Sequence, residues 1–227
     1  MMISLRCMFM VVIAVSTMAS TAPAAFGEVK TVPKTSQIRT EDTAEYAGST
    51  LLNIPLLWKP TETISSFNAI DLTNFQNQSF TLKPFSDLRI KPAEIGRNFE
   101  KRGSDRALYV TTRDNVADWL TDRVGRILSE FNVPVVKDGG TISLEADIIK
   151  FYVTEESLYK ADIGLKIRAR SRSGDVVWEG ILTVSAKRWG SSYKADNYYE
   201  ALSNACIDVI YNLLKSESFL QAVKKNK

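Results

Sequence analysis

Residues 141–189 hold three consecutive segments with two-residue periodicity, and this stretch limits the possible folds more than any other. Residues 141–153 alternate through Ile142, Leu144, Ala146 and Ile148, then change phase to Ile149, Phe151 and Val153. A phase change inside one strand predicts a β-bulge, because one extra residue moves every later side chain to the opposite face. Residues 158–172 alternate without interruption. Ala161, Ile163, Leu165, Ile167 and Ala169 share one face, and Lys160, Asp162, Lys166, Arg168 and Arg170 share the other. Ser171-Arg172-Ser173-Gly174-Asp175 reads as a hairpin turn, after which residues 176–189 return as the partner strand. Such patterning describes an antiparallel sheet with one buried and one solvated face.

Helical periodicity flanks these strands. Val116, Trp119, Leu120, Val124, Ile127, Leu128 and Phe131 recur at spacings of three and four, so residues 114–131 are expected to form an amphipathic helix begun by Thr112 or Asp114. Tyr199, Leu202, Cys206, Val209, Ile210, Leu213 and Leu214 define a second long helix, with Asn197 and Glu200 at capping-box spacing. A short amphipathic turn at 219–223 follows. Upstream, residues 78–90 read as a strand broken at Pro84. Residues 91–110 read as a loop turning at Gly96 and Gly103, ending in a short strand from Ala107, and 133–136 as another short strand. The order predicts an α+β fold: an antiparallel sheet of about four to five strands with two long helices packed on one face.

Residues 1–27 carry Arg6, an apolar run at 7–15 and small residues at 19–27, the layout of a secretory signal peptide. The run is too short to cross ~30 Å of hydrocarbon. Cleavage is expected after Ala24 or after Gly27. The chain is therefore expected to be exported, periplasmic or secreted, with peripheral association to the outer membrane compatible with that location. Residues 28–60 read as a flexible tether plus an apolar segment, and 61–227 as a single domain. The apolar segment, residues 51–60, is interrupted by Pro55 and Pro60. It suits either an edge strand against the domain or an exposed stretch that meets a partner or membrane surface.

Composition narrows the chemistry. None of the 227 residues is histidine. That excludes Ser-His-Asp and Cys-His catalysis and imidazole zinc sites, and removes the usual general base near neutral pH. Cys7 departs with the signal, which leaves Cys206 alone on a helical apolar face as a buried structural thiol. The formal net charge of +3 is too small to imply a nucleic-acid partner. Gly-rich phosphate loops, Gly-x-Ser-x-Gly elbows and Cys-x-x-Cys pairs are absent from the sequence. A non-enzymatic protein is expected, without cofactor, metal site or catalytic residues.

Several constellations remain. Asp114, Asp118 and Asp122 lie along one side of the first helix, where the helix dipole and an Asp122–Arg126 pair explain them without a cation. Glu145 and Asp147 share the polar face of their strand, the minimum for carboxylate chemistry but also ordinary for a solvated face. Lys160, Lys166, Arg168, Arg170 and Arg172 form a basic row. Trp189 and Tyr193 bracket a small-residue loop, which suits recognition or packing over a helix end. Lys166, Arg168, Arg170, Arg172, Trp189 and Tyr193 are the candidate partner-binding residues. The expected partner is an envelope protein or an anionic lipid or cell-wall component; a basic row serves equally to blunt aggregation. An apolar ligand carried between sheet and helices is the alternative.

The run Phe85-Ser86-Asp87-Leu88-Arg89, followed by Ile95-Gly96, resembles the F-x-D-x-R … I-G opening of YajG-like bacterial envelope proteins. Val116 to Leu120 resembles the start of their first helix, Ile149-Lys150-Phe151 their central strand, Gly174 to Gly180 their hairpin, and Asn197 to Leu202 the entry to their last helix. The likeness spans about residues 80–219. It implies a small periplasmic α/β domain, usually lipid-anchored, with no established chemistry. This sequence has no cysteine beyond the cleavage region except Cys206, so a soluble or peripherally bound form is implied. Asp87 and Arg89, the motif's polar pair, are expected to brace the loop after the first strand by ion pairing or backbone hydrogen bonds.

Overall fold

Three long strands, β5 (Ile142–Glu155), β6 (Tyr159–Ser171) and β7 (Val176–Arg188), form the antiparallel meander that the alternation predicts. These belong to a computed structural model that describes residues 53–67, 70–75, 77–99, 108–190 and 193–226. The expected signal peptide and residues 28–52 of the expected tether lie outside the described residues. The remaining strands and α-helices are β1 (Phe80–Leu82), β2 (Ser86–Asp87), β3 (Glu94–Asn98), β4 (Leu108–Thr111), α1 (Val116–Glu130), α2 (Ala195–Lys215) and α3 (Glu217–Lys225), preceded by two short 3-10 helices at Ile64–Ser66 and Leu72–Phe75. The β5 register shifts between Ile148 and Lys150, which places the bulge at Ile149, where the apolar phase changes. Gly174, at φ 94°, supplies the left-handed residue of the β6–β7 hairpin.

The sheet is mixed, not purely antiparallel. β1, β2 and β3 run one after another along the same edge of β5 and parallel to it, and β4 pairs antiparallel with β3. Parallel neighbours need a crossover, and α1 supplies it between β4 and β5. The described sheet therefore holds seven strands, with three α-helices, where the sequence predicts four to five strands and two long helices. Residues 94–98, read as loop, are strand β3. Gly96 is no turn point: a Cβ there would lie 2.7 Å from the Val153 carbonyl oxygen. Of residues 133–136, only Val135 bridges, to Phe80. The α1 cap is Asn115, whose side chain accepts from the N–H groups of Ala117 and Asp118, and α2 begins after Lys194 without a side-chain cap.

The helices cover the face carrying Ile163, Leu165 and Ile167, and sheet and helices share one continuous core. Every residue of the expected α2 apolar face is buried, Cys206 included. Residues 53–61 are integral to this domain. Ile54 and Leu56 are buried in the core, the Ile54 N–H donates to the Thr111 carbonyl at 2.9 Å, and the Lys59 and Thr61 N–H groups donate to Ser203 and Asn204 of α2. The described part of the apolar segment is thus an extended strap laid against the helices.

Candidate binding site

The basic row is built into a cross-strand lattice of opposite charge. β5 pairs with β6 so that Glu145 lies opposite Arg168, and Asp147 opposite Lys166. Arg168 reaches Glu145 at 2.9 Å and Asp147 at 3.0 Å, Arg170 reaches Glu145 at 2.9 Å, and Lys166 reaches Glu179 of β7 at 3.3 Å. Hydrogen bonds from Arg170 hold the Glu145 carboxyl below its ordinary titration range. Farther along, Lys150 and Lys160 close on Asp162 at 2.8 and 3.3 Å. Burial opposes ionisation of Asp162, but the Lys150 and Ser185 hydrogen bonds outweigh it and its pKa is lowered. Arg172 donates to the Gly139 carbonyl at 3.0 Å. Glu145 and Asp147, the carboxylates noted for acid chemistry, are both engaged by arginine.

Lys166, Arg168 and Arg170 are therefore brought together on one face, whereas Trp189 and Tyr193 are not with them. Tyr159 pairs with Arg188, next to Trp189, and stands 11 residues from Arg170 along β6. At ~3.3 Å per residue the two groups lie roughly 36 Å apart. Trp189 is 78% exposed, while Tyr193 packs against the core.

A concave site lies elsewhere, along the edge where β2 and β3 adjoin β5. After Asp87, which pairs with Ile148, the Leu88 N–H makes a last bond to the Ile148 carbonyl at 3.0 Å, and the chain then leaves the ladder until Glu94. Opposite this stretch β5 bulges at Ile149. The groove between has a volume of about 370 Å³. Arg89 forms part of its lining and is wholly engaged. It donates to the Asp87 carboxylate and to the carbonyls of Pro92, Glu94 and Phe151. The motif pair thus braces the loop by ion pairing and backbone hydrogen bonds together.

The loop so held presents Ile90, which is 98% exposed. Ile149 lines the same groove, exposed at the bulge, and packs over Gly164, where a Cβ would lie 3.0 Å from it. One wall is a buried polar cluster. The Tyr152 hydroxyl donates to Glu94 at 2.6 Å, Arg97 donates to the same oxygen at 3.2 Å, and the Arg97 guanidinium stacks 4.4 Å from the Tyr109 ring centre. Burial, reinforced by the Glu94 hydrogen bond, pushes the Tyr152 phenol far above its ordinary value, so it stays a neutral donor. Lys91 and Lys150 complete the lining. The arrangement suits non-covalent binding: two exposed isoleucines beside cationic side chains. Ile90, Ile149 and Lys150 are not among the binding residues expected from the sequence, although the phase change at Ile149 signals an apolar side chain moved onto the polar face.

Among the described residues no three or more Cys, Asp or Glu side chains converge as a metal set, and no helix is long and apolar enough to cross a membrane.

No known family model matches the chain, and no curated protein matches it. Similar solved structures exist. A Xanthomonas campestris protein of family DUF330 is 18% identical, with 66% of this chain and 89% of that chain covered at a TM-score of 0.49. A hypothetical protein from Chlamydia trachomatis is 10% identical, covering 63% and 98% at 0.41. A minor lipoprotein from Acinetobacter baumannii is 9% identical, covering 62% and 91% at 0.37. Likeness of this degree leaves function to be read from the chain's own residues.

Proposed function

We propose that the protein is an exported, non-enzymatic binding protein of the cell envelope. It holds an anionic component bearing an apolar tail, and the groove between residues 88–93 and the β5 bulge is its site. The observation that carries this reading is Ile90, 98% exposed on the loop that Arg89 braces, at a groove that also exposes Ile149. Covering that surface removes apolar area from water, at roughly 25 cal/mol per Å². Four basic side chains, Arg89, Lys91, Arg97 and Lys150, line the groove, and Asp87, Glu94 and Asp162 offset three of them, which leaves a small positive excess that favours phosphate or carboxylate headgroups. The signal-like residues 1–27 and the YajG-like motifs support the compartment.

The test is flotation of the mature protein with vesicles of phosphatidylglycerol in phosphatidylcholine. Binding to the anionic vesicles is expected, with none to pure phosphatidylcholine and roughly tenfold weaker binding for Ile90→Asp. Ile90 touches water on all sides, so this variant folds normally. Equal binding by wild type and Ile90→Asp removes the groove from consideration.

A further inference from the structure

The two edges of the sheet differ. One ends on β4, which is four residues long, and the other on β7, which is 13 residues long and, among the described residues, pairs only with β6. Long edges are normally blunted by proline, by bulges or by inward charge. β7 has no proline, and its single register irregularity lies at its first residues, opposite Ala169 and Arg170. From Glu179 to Arg188 it is a regular strand with no partner on its outer side among the described residues. Alternate residues on its polar face are Glu179, Ile181, Thr183, Ser185 and Lys187. Ile181 is 63% exposed.

We infer that β7 is an interface for a second copy of this chain, paired antiparallel across a two-fold axis at Thr183. Residues directly opposite on antiparallel strands share a face, and a two-fold at Thr183 sets residue i against residue 366 minus i. Glu179 then meets Lys187 of the second copy, and Lys187 meets its Glu179, two opposite-charge pairs per dimer. Lys187 has no ion pair among the described residues, and Glu179 has only the 3.3 Å contact with Lys166, so both side chains are available on the open edge. Ile181 falls opposite Ser185 on this face, and on the helix face Leu182 falls opposite Val184. The same register sets the exposed indole of Trp189 against the start of the second copy's β7. Shifting the axis to Leu182 puts Glu179 opposite Ser185 and loses both charge pairs, so the charges select the register. The result is one continuous sheet through both copies, an isologous contact that closes on itself and gives a dimer, not a fibre.

The proposal is independent of the groove, which lies across the sheet on the far side of β5. It is tested on the full mature chain by sedimentation velocity and by mild oxidation of Thr183→Cys. The native Cys206 is fully buried and stays silent in that oxidation. A concentration-dependent dimer is expected. Glu179→Lys and Lys187→Glu each weaken it by roughly tenfold, and the double exchange restores it, because each single change sets like charges opposite twice. Thr183→Cys gives a covalent dimer, while Asp175→Cys in the hairpin does not. Circular dichroism of each variant confirms folding. A folded wild type that stays monomeric overturns the inference. So does a dimer indifferent to both charge reversals, or a folded double variant that fails to regain it.

Discussion

Arg89 grips the Asp87 carboxylate with two N–H groups, at 2.9 and 2.6 Å, and turns its remaining donors on three backbone carbonyls. One side chain thereby ties the loop to itself through Pro92, to β3 through Glu94 and to β5 through Phe151. The planar fork of guanidinium is what permits five bonds at once; an ammonium cannot span them.

Arg89→Ala is therefore expected to destabilise the fold by about 3 kcal/mol, since it leaves a largely buried carboxylate and three carbonyls without their donor. Arg89→Lys is expected to recover less than half of that. Urea unfolding of the three proteins checks both, read as midpoints at constant m-value.

Gly96 packs where strand β3 meets both the sheet and α2. A Cβ there would lie 2.7 Å from the Val153 carbonyl oxygen and 2.9 Å from the Tyr198 ring. Neither neighbour can retreat: one is backbone, and Tyr198 is fully buried against Tyr159 at 5.2 Å. Gly96→Ala is expected to cost about 2 kcal/mol. Gly174→Ala, with open space around it but φ at 94°, is expected to cost about 1 kcal/mol through backbone strain alone. Thermal melts of the pair separate the two mechanisms.

Why β5, β6 and β7 were legible while β3 was not follows from the same residues. Ile163, Leu165 and Ile167 alternate with charge because one face is dry and the other wet, and that contrast is written locally. β3 reads Glu-Ile-Gly-Arg-Asn, with one apolar side chain. Its Glu94 and Asn98 are buried by polar partners distant in sequence, Tyr152 and Glu155. Local periodicity cannot report a strand whose polar residues are satisfied from elsewhere. The parallel pairing of β1, β2 and β3 with β5 likewise depends on where α1 returns the chain. The charged face was legible as a row of bases but not as a lattice, because Glu145 and Asp147 belong to a different strand whose register had to be known. The groove needed two departures from regularity, the loop and the bulge, to coincide.

The lattice alters what neutralising the row should do. From the sequence alone, removing charge at Arg168 and Arg170 is expected to leave the melting temperature nearly unchanged. With Glu145 and Asp147 held between them, Arg168→Gln with Arg170→Gln strands two neighbouring carboxylates on one strand face. A loss of about 1 kcal/mol is expected at low salt, shrinking as added salt screens the repulsion. Calorimetric melts at two ionic strengths check it.

Asp208 works against the fold at neutral pH. It lies on α2, where burial first and the charge of Glu62 second raise its pKa from 3.8 to about 6. The native state therefore holds this proton more tightly than the unfolded chain does. Between pH 4 and pH 6 the native state binds more protons, so stability falls as pH rises through that window and the loss is complete above it. Asp208→Asn removes the ionisation while keeping the shape. The variant is expected to melt higher than wild type at pH 7, to match it near pH 4, and to lose the slope between. Melting curves at half-unit pH steps decide the matter: a wild type whose stability rises from pH 4 to 6 by the same amount as the variant's would show that Asp208 titrates normally.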